Sequence, residues 1–280
     1  NILGKRNIKM KKIAYLVQPN TVEALRGQWP AEDTVIMMLP NQGRQLWHEE
    51  EVDWNSIIRI AKEVASPAKL EIGFWPFSEE RSWSSPFDCM IWTAPEELFL
   101  IFKKQFDRLC EACFENNIKR IWQDAEIYHA TAGGNGGKMA QWAYPKVELT
   151  SQRAEEYRLI LQDYELIHDF YVWTKGLPKG FWNWHGTIYT PETKLYGGDT
   201  FWDNHGANKI KNVAKKHNLE GWGGILIRPT KKWKNERLLE NMVRCSMGLE
   251  GLWIYCEPDS ILIEHWEDFI AMRKKFLKIK

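Results

Sequence analysis

The sequence predicts an α/β fold, an eight-stranded (β/α) barrel of the TIM type with room for one irregular βα unit. Short apolar or β-branched runs alternate with amphipathic helical segments, which is typical of repeated βα units and a parallel sheet. The length of 280 residues suits a single barrel of ~250 residues. The first strand is followed by YLVQPNTVEA rather than a glycine-rich phosphate-binding loop, which disfavours a doubly wound open sheet.

The first half of the chain predicts four strands and two intervening helices. The strands are KIAYLVQP, DTVIMMLP, KLEIGFWPF and KRIWQDAEIY, and the helices have apolar residues at helical spacing. In chain order, the predicted elements are strands at 12–19, 33–40, 69–77 and 119–128, with helices at 54–65 and 95–117. The glycine-rich segment TAGGNGGK that follows is interpreted as a loop over the site.

The second half continues the alternation. In chain order, the predicted elements are a helix at 151–171, a strand at 180–186, a helix at 207–218, a strand at 221–230, a helix at 235–250, a strand at 251–257 and a helix at 262–277. These make seven clear strands, and the eighth is expected near KLYGGD. We expect one domain over residues 1–280, with residues 1–9 either as a disordered extension or as residues foreign to a natural chain that starts at Met10.

Composition excludes several classes of partner. The formal net charge is +1 with both signs interspersed, so we expect no nucleic-acid partner. No apolar run reaches the ~18 to 20 residues of a membrane span, so a soluble protein is expected. The five cysteines have no regular spacing, and the CxxC of Cys110 and Cys113 falls inside a predicted helix, which favours packing over redox or zinc chemistry. No cofactor is expected.

Tryptophan is unusually abundant, with 16 residues beside 9 Tyr and 12 Phe. The indole N–H needs a partner when it is buried, so many of these side chains are expected to be half exposed. Stacking on sugar rings is one use of such a surface. Wide aromatic packing beneath long loops is the alternative.

Two carboxylates lie one residue apart in the predicted fourth strand. Side chains at i and i+2 of a strand share a face, so Asp124 and Glu126 point to the same side. Two close carboxylates separate each other's pKa values, and one protonated group beside one ionised group suits general acid chemistry at neutral pH. The alternative is a pair on an edge strand that faces water.

In a (β/α) barrel the active site lies at the carboxyl ends of the strands, and those ends carry a polar and aromatic rim here. The expected catalytic residues are Asp124, Glu126 and Glu257. The expected substrate-binding residues are Trp75, Tyr128, Trp184, His185, Asp199, Arg228 and Tyr255. His185 has a structural alternative, and Arg228 has the alternative of a structural ion pair. No metal is expected, although a His129, His185 and Glu257 site is an alternative.

A tryptophan-rich barrel with Asp-x-Glu at the end of its fourth strand resembles glycoside hydrolases of the chitinase and endo-N-acetylglucosaminidase type (family 18) or of the muramidase type (family 25). The stretch NMVRCSMGLEGLWIYC is also similar to the last helix and strand of many sugar-cleaving barrels. The family-18 resemblance implies that Glu126 protonates the glycosidic oxygen and that Asp124 orients the 2-acetamido group of the substrate. If the second carboxylate lies elsewhere, Glu257, Asp199 and Asp203 are the candidates, and their separation from Glu126 would decide between retention and inversion.

The sequence therefore predicts hydrolysis of a glycosidic bond in an oligo- or polysaccharide. Two other functions stay open at this point, a barrel without catalysis that acts as a carbohydrate-binding lectin and a metal-dependent barrel hydrolase. The sequence leaves the sugar, the linkage, endo or exo action and the oligomeric state open. The compartment, cytoplasmic or secreted, is open as well.

Overall fold

The computed structural model describes residues 12–74, 94–123, 147–171, 185–189, 193–194, 211–212, 214–216, 218, 220–227, 235–246, 248–256 and 260–279. The chain divides into two compact units, one of Asn1–Tyr15 with Tyr189–Lys280 and one of Leu16–Ile188. The prediction of a single domain stays a prediction.

The unit Leu16–Ile188 alternates strands and helices as predicted. Its elements are the end of β1 (Lys12–Val17), α1 (Pro19–Ala24), β2 (Thr34–Met38), a 3₁₀ helix (Pro40–Trp47), α2 (Trp54–Ala65), β3 (Lys69–Phe74), α3 (Glu96–Glu115), β4 (Arg120–Gln123), α4 (Val147–Asp163), β5 (Ile167–Tyr171) and most of β6 (His185–Tyr189). Strands β2, β3, β4 and β5 are parallel neighbours in that order. The sheet is therefore built by successive βα units.

Aromatic side chains join α3 and α4 to each other and to the sheet. The Phe106 ring lies 4.4 Å from Tyr157 of α4 and 5.8 Å from Phe74 of β3. The Phe102 ring stacks on Phe106 at 5.5 Å. These positions recur at helical spacing in α3 and place one apolar stripe against the strands. The predicted helix at 95–117 is confirmed by α3.

The other unit, described by itself, holds the start of β1 and the last three strands. Its further elements are β7 (Thr193–Lys194), β8 (Glu220–Ile227), α5 (Asn235–Cys245), β9 (Gly251–Cys256), α6 (Ser260–Glu264) and α7 (Trp266–Phe276). Strands β7, β8 and β9 are parallel neighbours. The backbone N–H of Lys12 donates to the Glu250 carbonyl at 3.1 Å, and the Tyr15 ring lies 5.7 Å from Phe269 of α7.

Two boundaries in the sequence prediction were wrong. The helix predicted to reach Tyr171 ends at Asp163, and Ile167–Tyr171 is the strand β5, paired with β4. The chain turns at Glu165, which has φ +53, a left-handed conformation that usually marks Gly or Asn after a helix. The last predicted helix is two helices, α6 and α7, separated at His265.

Candidate active site

Two predicted site residues follow neighbouring strands of the unit Leu16–Ile188. The structure describes β3 as far as Phe74 and β4 as far as Gln123, and Trp75 and Asp124 are the next residues in the chain. The two strands are parallel and in register from Ile72↔Ile121 to Phe74↔Gln123. Their carboxyl ends therefore lie at one edge of the sheet. Trp75 and Asp124 themselves are outside the described residues.

The same arrangement occurs independently in the other unit. The structure describes β8 as far as Ile227 and β9 as far as Cys256, and Arg228 and Glu257 follow directly in the chain. These two strands are also parallel and in register, with Ile227↔Cys256 as the last pair. Arg228 and Glu257 lie outside the described residues.

The remaining predicted residues divide into three groups. Tyr255 is described and is half-buried on β9, where it is paired with Leu226 of β8. His185 lies in β6, which continues beyond the predicted strand end at Gly186 to Tyr189, and the substrate-binding role of His185 stays a prediction. Glu126, Tyr128, Trp184 and Asp199 lie outside the described residues.

One face of β3 and β4 packs on helix α3. Phe74 lies 6.3 Å from Phe102 and 5.8 Å from Phe106, ring to ring. Because side chains alternate, Ile72 shares the face of Phe74, and its neighbour Ile121 of β4 does as well. The opposite face of these strands, turned away from α3, is called the inner face below.

The inner face of β3 and β4 carries Glu71, Gly73 and Trp122. Trp122 is paired with Gly73, and a Cβ at Gly73 would lie 3.6 Å from the Trp122 Cβ and only 2.7 Å from the Met38 Sδ. Such a close approach requires glycine, since a side chain there would displace Met38. The inner face is thus filled by large side chains that pack over a glycine.

Strands β8 and β9 show the same design on the face turned away from α5, which is the inner face of that unit. A Cβ at Gly224 would lie 2.3 Å from the Trp253 ring, and a Cβ at Gly251 would lie 2.5 Å from the Trp222 ring. On the opposite face, a Cβ at Gly223 would lie 1.9 Å from the carbonyl oxygen of Cys245, the last residue of α5. Each indole therefore occupies the space above a glycine on the neighbouring strand.

A carboxylate partners the indole N–H of two of these tryptophans. In one unit, Trp122 Nε1 donates to Glu71, whose other oxygen lies 2.6 Å from Lys69 Nζ. In the other unit, Trp222 Nε1 donates to Glu220 at 3.3 Å, and Glu220 lies 2.5 Å from Lys12 Nζ. The Glu71 side chain is only 3 % exposed. Sequence reasoning missed Glu71, although a glutamate between Leu70 and Ile72 in a buried strand is the signal that marks it.

The described tryptophans do not form an exposed aromatic surface. All seven are at most 5 % exposed, namely Trp29, Trp47, Trp54, Trp122, Trp222, Trp253 and Trp266. For these, the expectation of half exposure was wrong, because the inner face and the helix packing bury them. The other nine tryptophans are outside the described residues.

The part of the chain that the structure describes holds no group of three or more His, Cys, Asp or Glu that could bind a metal ion. Among the same residues, none of the helices combines the length and the apolar character needed to cross a membrane. A cleft of about 360 Å³ is lined by Glu51–Asn55 and by Arg108, Glu111 and Ala112 of α3. None of the predicted site residues lines it.

Comparison with known proteins finds no matching family model and no matching curated protein. Solved structures do match. A GH18 chitinase, ChiB of Flavobacterium johnsoniae, is 11% identical with a TM-score of 0.53, over 88% of this chain and 87% of that chain. A GH20 module of the pneumococcal exo-β-D-N-acetylglucosaminidase StrH is 8% identical with a TM-score of 0.56, over 96% of this chain and 86% of that chain.

These matches show the fold. At identities of 8% to 11%, they support the barrel architecture and no particular activity. The fold class predicted from the sequence, an α/β fold of the TIM-barrel type with a parallel sheet, is confirmed. Glycoside hydrolases occur among the structural neighbours of this chain.

Proposed function

We propose that this protein is a glycoside hydrolase that cleaves a glycosidic bond in an oligo- or polysaccharide, with Glu126 as the proton donor. The observation that carries the proposal is the register of β3 and β4, in which Trp122 is on the inner face at the carboxyl half of β4. If the alternation of β4 continues, the positions two and four residues later share that face. Asp124 and Glu126 are those positions.

The sequence around the other strand ends supports the same proposal. Continuing the alternation of β9 from Trp253 and Tyr255 gives Glu257 the inner face of its own unit. In a TIM barrel, residues at the carboxyl ends of the strands do the chemistry. Glu257 is therefore the candidate for a second carboxylate, together with Asp199.

In the proposed mechanism, Glu126 protonates the glycosidic oxygen as its bond to the anomeric carbon breaks, and water supplies the hydroxyl group that this carbon gains. The ionised Asp124 is the second carboxylate beside Glu126. A carboxyl group beside a second carboxylate keeps its proton to a higher pH, as general acid catalysis near neutrality requires. Substrate contacts are assigned to Trp75, Tyr128, Trp184, His185, Arg228 and Tyr255. The GH18 and GH20 structural neighbours, which include a chitinase and an exo-β-D-N-acetylglucosaminidase, favour N-acetylated sugars as the first substrates to try.

The test compares the wild type with Glu126→Gln on a panel of aryl glycosides and oligosaccharides that includes N-acetylated members. Glu236→Gln is the matched control, because Glu236 is an exposed glutamate of α5. We expect hydrolysis by the wild type and by the control, with a loss of about 10²- to 10⁴-fold in kcat for Glu126→Gln while substrate binding persists.

Two results would replace the proposal. Equal sugar binding by all three proteins without any cleavage would indicate a lectin. Hydrolysis that is abolished by a chelator and unaffected by Glu126→Gln would indicate a metal-dependent hydrolase.

A further inference from the structure

We infer that Glu71 is a positioning residue for the Asp124 and Glu126 pair and that it acts through Trp122. This inference rests on the proposed function, because the pair must be catalytic for its position to matter. The contacts that carry it all lie within β2, β3, β4 and β5 of one compact unit.

Glu71 is a charged group in a place where charges are rarely found. Its side chain is 3 % exposed on the inner face of β3, and a buried carboxylate is tolerated only when hydrogen bonds and an opposite charge compensate for lost hydration. Lys69 Nζ, 2.6 Å away, supplies the charge, and Trp122 Nε1 supplies a hydrogen bond. The Lys69 side chain is about half exposed, whereas the Glu71 side chain is buried. Of the two Glu71 contacts, the one with Trp122 is therefore the buried one.

Trp122 is fixed at both ends. Its backbone lies in the ladder between Gly73 of β3 and Asp169 of β5. Its indole N–H donates to Glu71 across the strand pair, and its Cβ lies over Gly73, where only glycine leaves room beside Met38. In the register of the two parallel strands, Glu71 of β3 is opposite Arg120 of β4. The hydrogen bond between Glu71 and the Trp122 indole therefore runs diagonally across the strand pair, toward the carboxyl end of β4. Rotation of the indole would break this hydrogen bond, which joins β3 and β4 on the inner face.

In this proposal a tilt of β4 at Trp122 displaces the pair, because Asp124 follows Trp122 by only two residues in the chain. The Glu71 charge itself is a poor candidate for a direct effect. Its level in the sheet is four residues before Asp124, about 13 Å at ~3.3 Å per residue, and Lys69 neutralises it. Glu71 therefore affects the position of the pair through its hydrogen bond with Trp122 and not through its charge.

The experiment uses Glu71→Gln, which keeps an acceptor for the indole N–H, and Glu71→Met, which removes it at similar volume. Trp122→Phe and the double variant Glu71→Met/Trp122→Phe complete a cycle. We expect kcat of Glu71→Gln to stay within about 3-fold of the wild type. We expect kcat of Glu71→Met to fall by about 10-fold or more with KM within 2-fold, because misplacement of a catalytic group lowers turnover more than binding. The double variant should lose no more than Trp122→Phe alone.

A second readout does not depend on activity. Backbone hydrogen exchange of a peptide covering Trp122 to Tyr128 should be faster in Glu71→Met than in Glu71→Gln. Equal exchange and equal kcat per folded molecule in the two variants, with an active wild type, would overturn the positioning role and leave the proposed function standing. Faster exchange in Glu71→Met with no hydrolysis by the wild type would overturn the inference through the failure of the proposed function.

Discussion

Arg153 of α4 is a buried cation whose removal should be far more damaging than removal of Arg158 on the same helix. The Arg153 side chain is 3 % exposed, and it joins α4 to the start of α3. One guanidinium nitrogen donates to the Ala94 carbonyl at 2.5 Å, and the other lies 3.1 Å from Glu96. The guanidinium carbon lies 4.5 Å from the centre of the Phe99 ring.

The expected cost of Arg153→Met follows from these contacts. Leaving the buried Ala94 carbonyl without its donor costs about 1 to 3 kcal/mol. Loss of the cation–π contact with Phe99 adds about 0.5 to 2 kcal/mol, and the pair with the exposed Glu96 adds less than about 1 kcal/mol. Relief from burying a charge offsets part of this sum. We expect a net loss of about 3 kcal/mol in the free energy of unfolding.

Arg158→Met is the matched control. Arg158 bonds to Glu155 at i−3 and to Gln162 at i+4 on the exposed side of α4, so its loss should cost less than about 1 kcal/mol. Urea denaturation of both variants at low and high salt measures the difference. Equal destabilisation by the two variants would refute the argument that burial decides the value of an arginine here. A salt-dependent loss in Arg153→Met would refute it as well.

Three further predictions concern the rest of the described structure. Gly223→Ala should lower the free energy of unfolding by about 3 kcal/mol, because the new Cβ would lie 1.9 Å from the backbone oxygen of Cys245, and urea denaturation measures it. The Lys103 hydrogen bond lowers the pKa of Glu156, so its contribution to stability is present above pH 4.5 and is lost as the pH falls through the depressed pKa. Unfolding followed from pH 7 to pH 3 should therefore show a smaller loss in Glu156→Gln. Burial raises the pKa of Cys110, so this thiol should react with a disulfide reagent only after unfolding.

Each of these three predictions has a distinct contrary result. Gly27→Ala is the control for Gly223→Ala, because a Cβ at Gly27 would meet nothing within 4 Å and only its φ of +72° is strained. Equal stability of the two variants would contradict the steric argument. An unchanged acid profile in Glu156→Gln would contradict the role of the Lys103 bond. Labelling of Cys110 in the native protein, read by peptide mass, would contradict its burial.

The sequence pattern predicted the βα alternation well where strands such as β1, β2, β3 and β9 are apolar and helices such as α2 and α5 have an apolar stripe. The runs around Ile13, Ile36, Leu70 and Ile254 all fall in described strands. Prediction failed at Glu165, because the helix end there has neither glycine nor proline and the left-handed turn is made by a glutamate. The strand β5 that follows was therefore read as more helix.

The candidate site was predictable only as far as the strand ends. Trp75 and Asp124 were predicted at strand ends, and both come directly after the described parts of β3 and β4, so their place in a site stays a prediction. Glu71 was missed because its one sequence signal, a glutamate inside an apolar strand, does not show which residue it contacts. Its importance depends on the register that brings Trp122 of another strand beside it. Such a contact joins residues 51 positions apart and cannot be read from local spacing.

Trp253 packs over Gly224, and Trp222 packs over Gly251. The effect of a substitution at either glycine therefore depends on which residue occupies the paired tryptophan position. Alanine at Gly224 would clash with the indole, yet it would fill space if Trp253 were a smaller residue. The same substitution should thus be harmful in one background and helpful in the other, which is sign epistasis. Homologous chains that lose a tryptophan here are expected to gain a side chain at the paired glycine, so the two positions should change together.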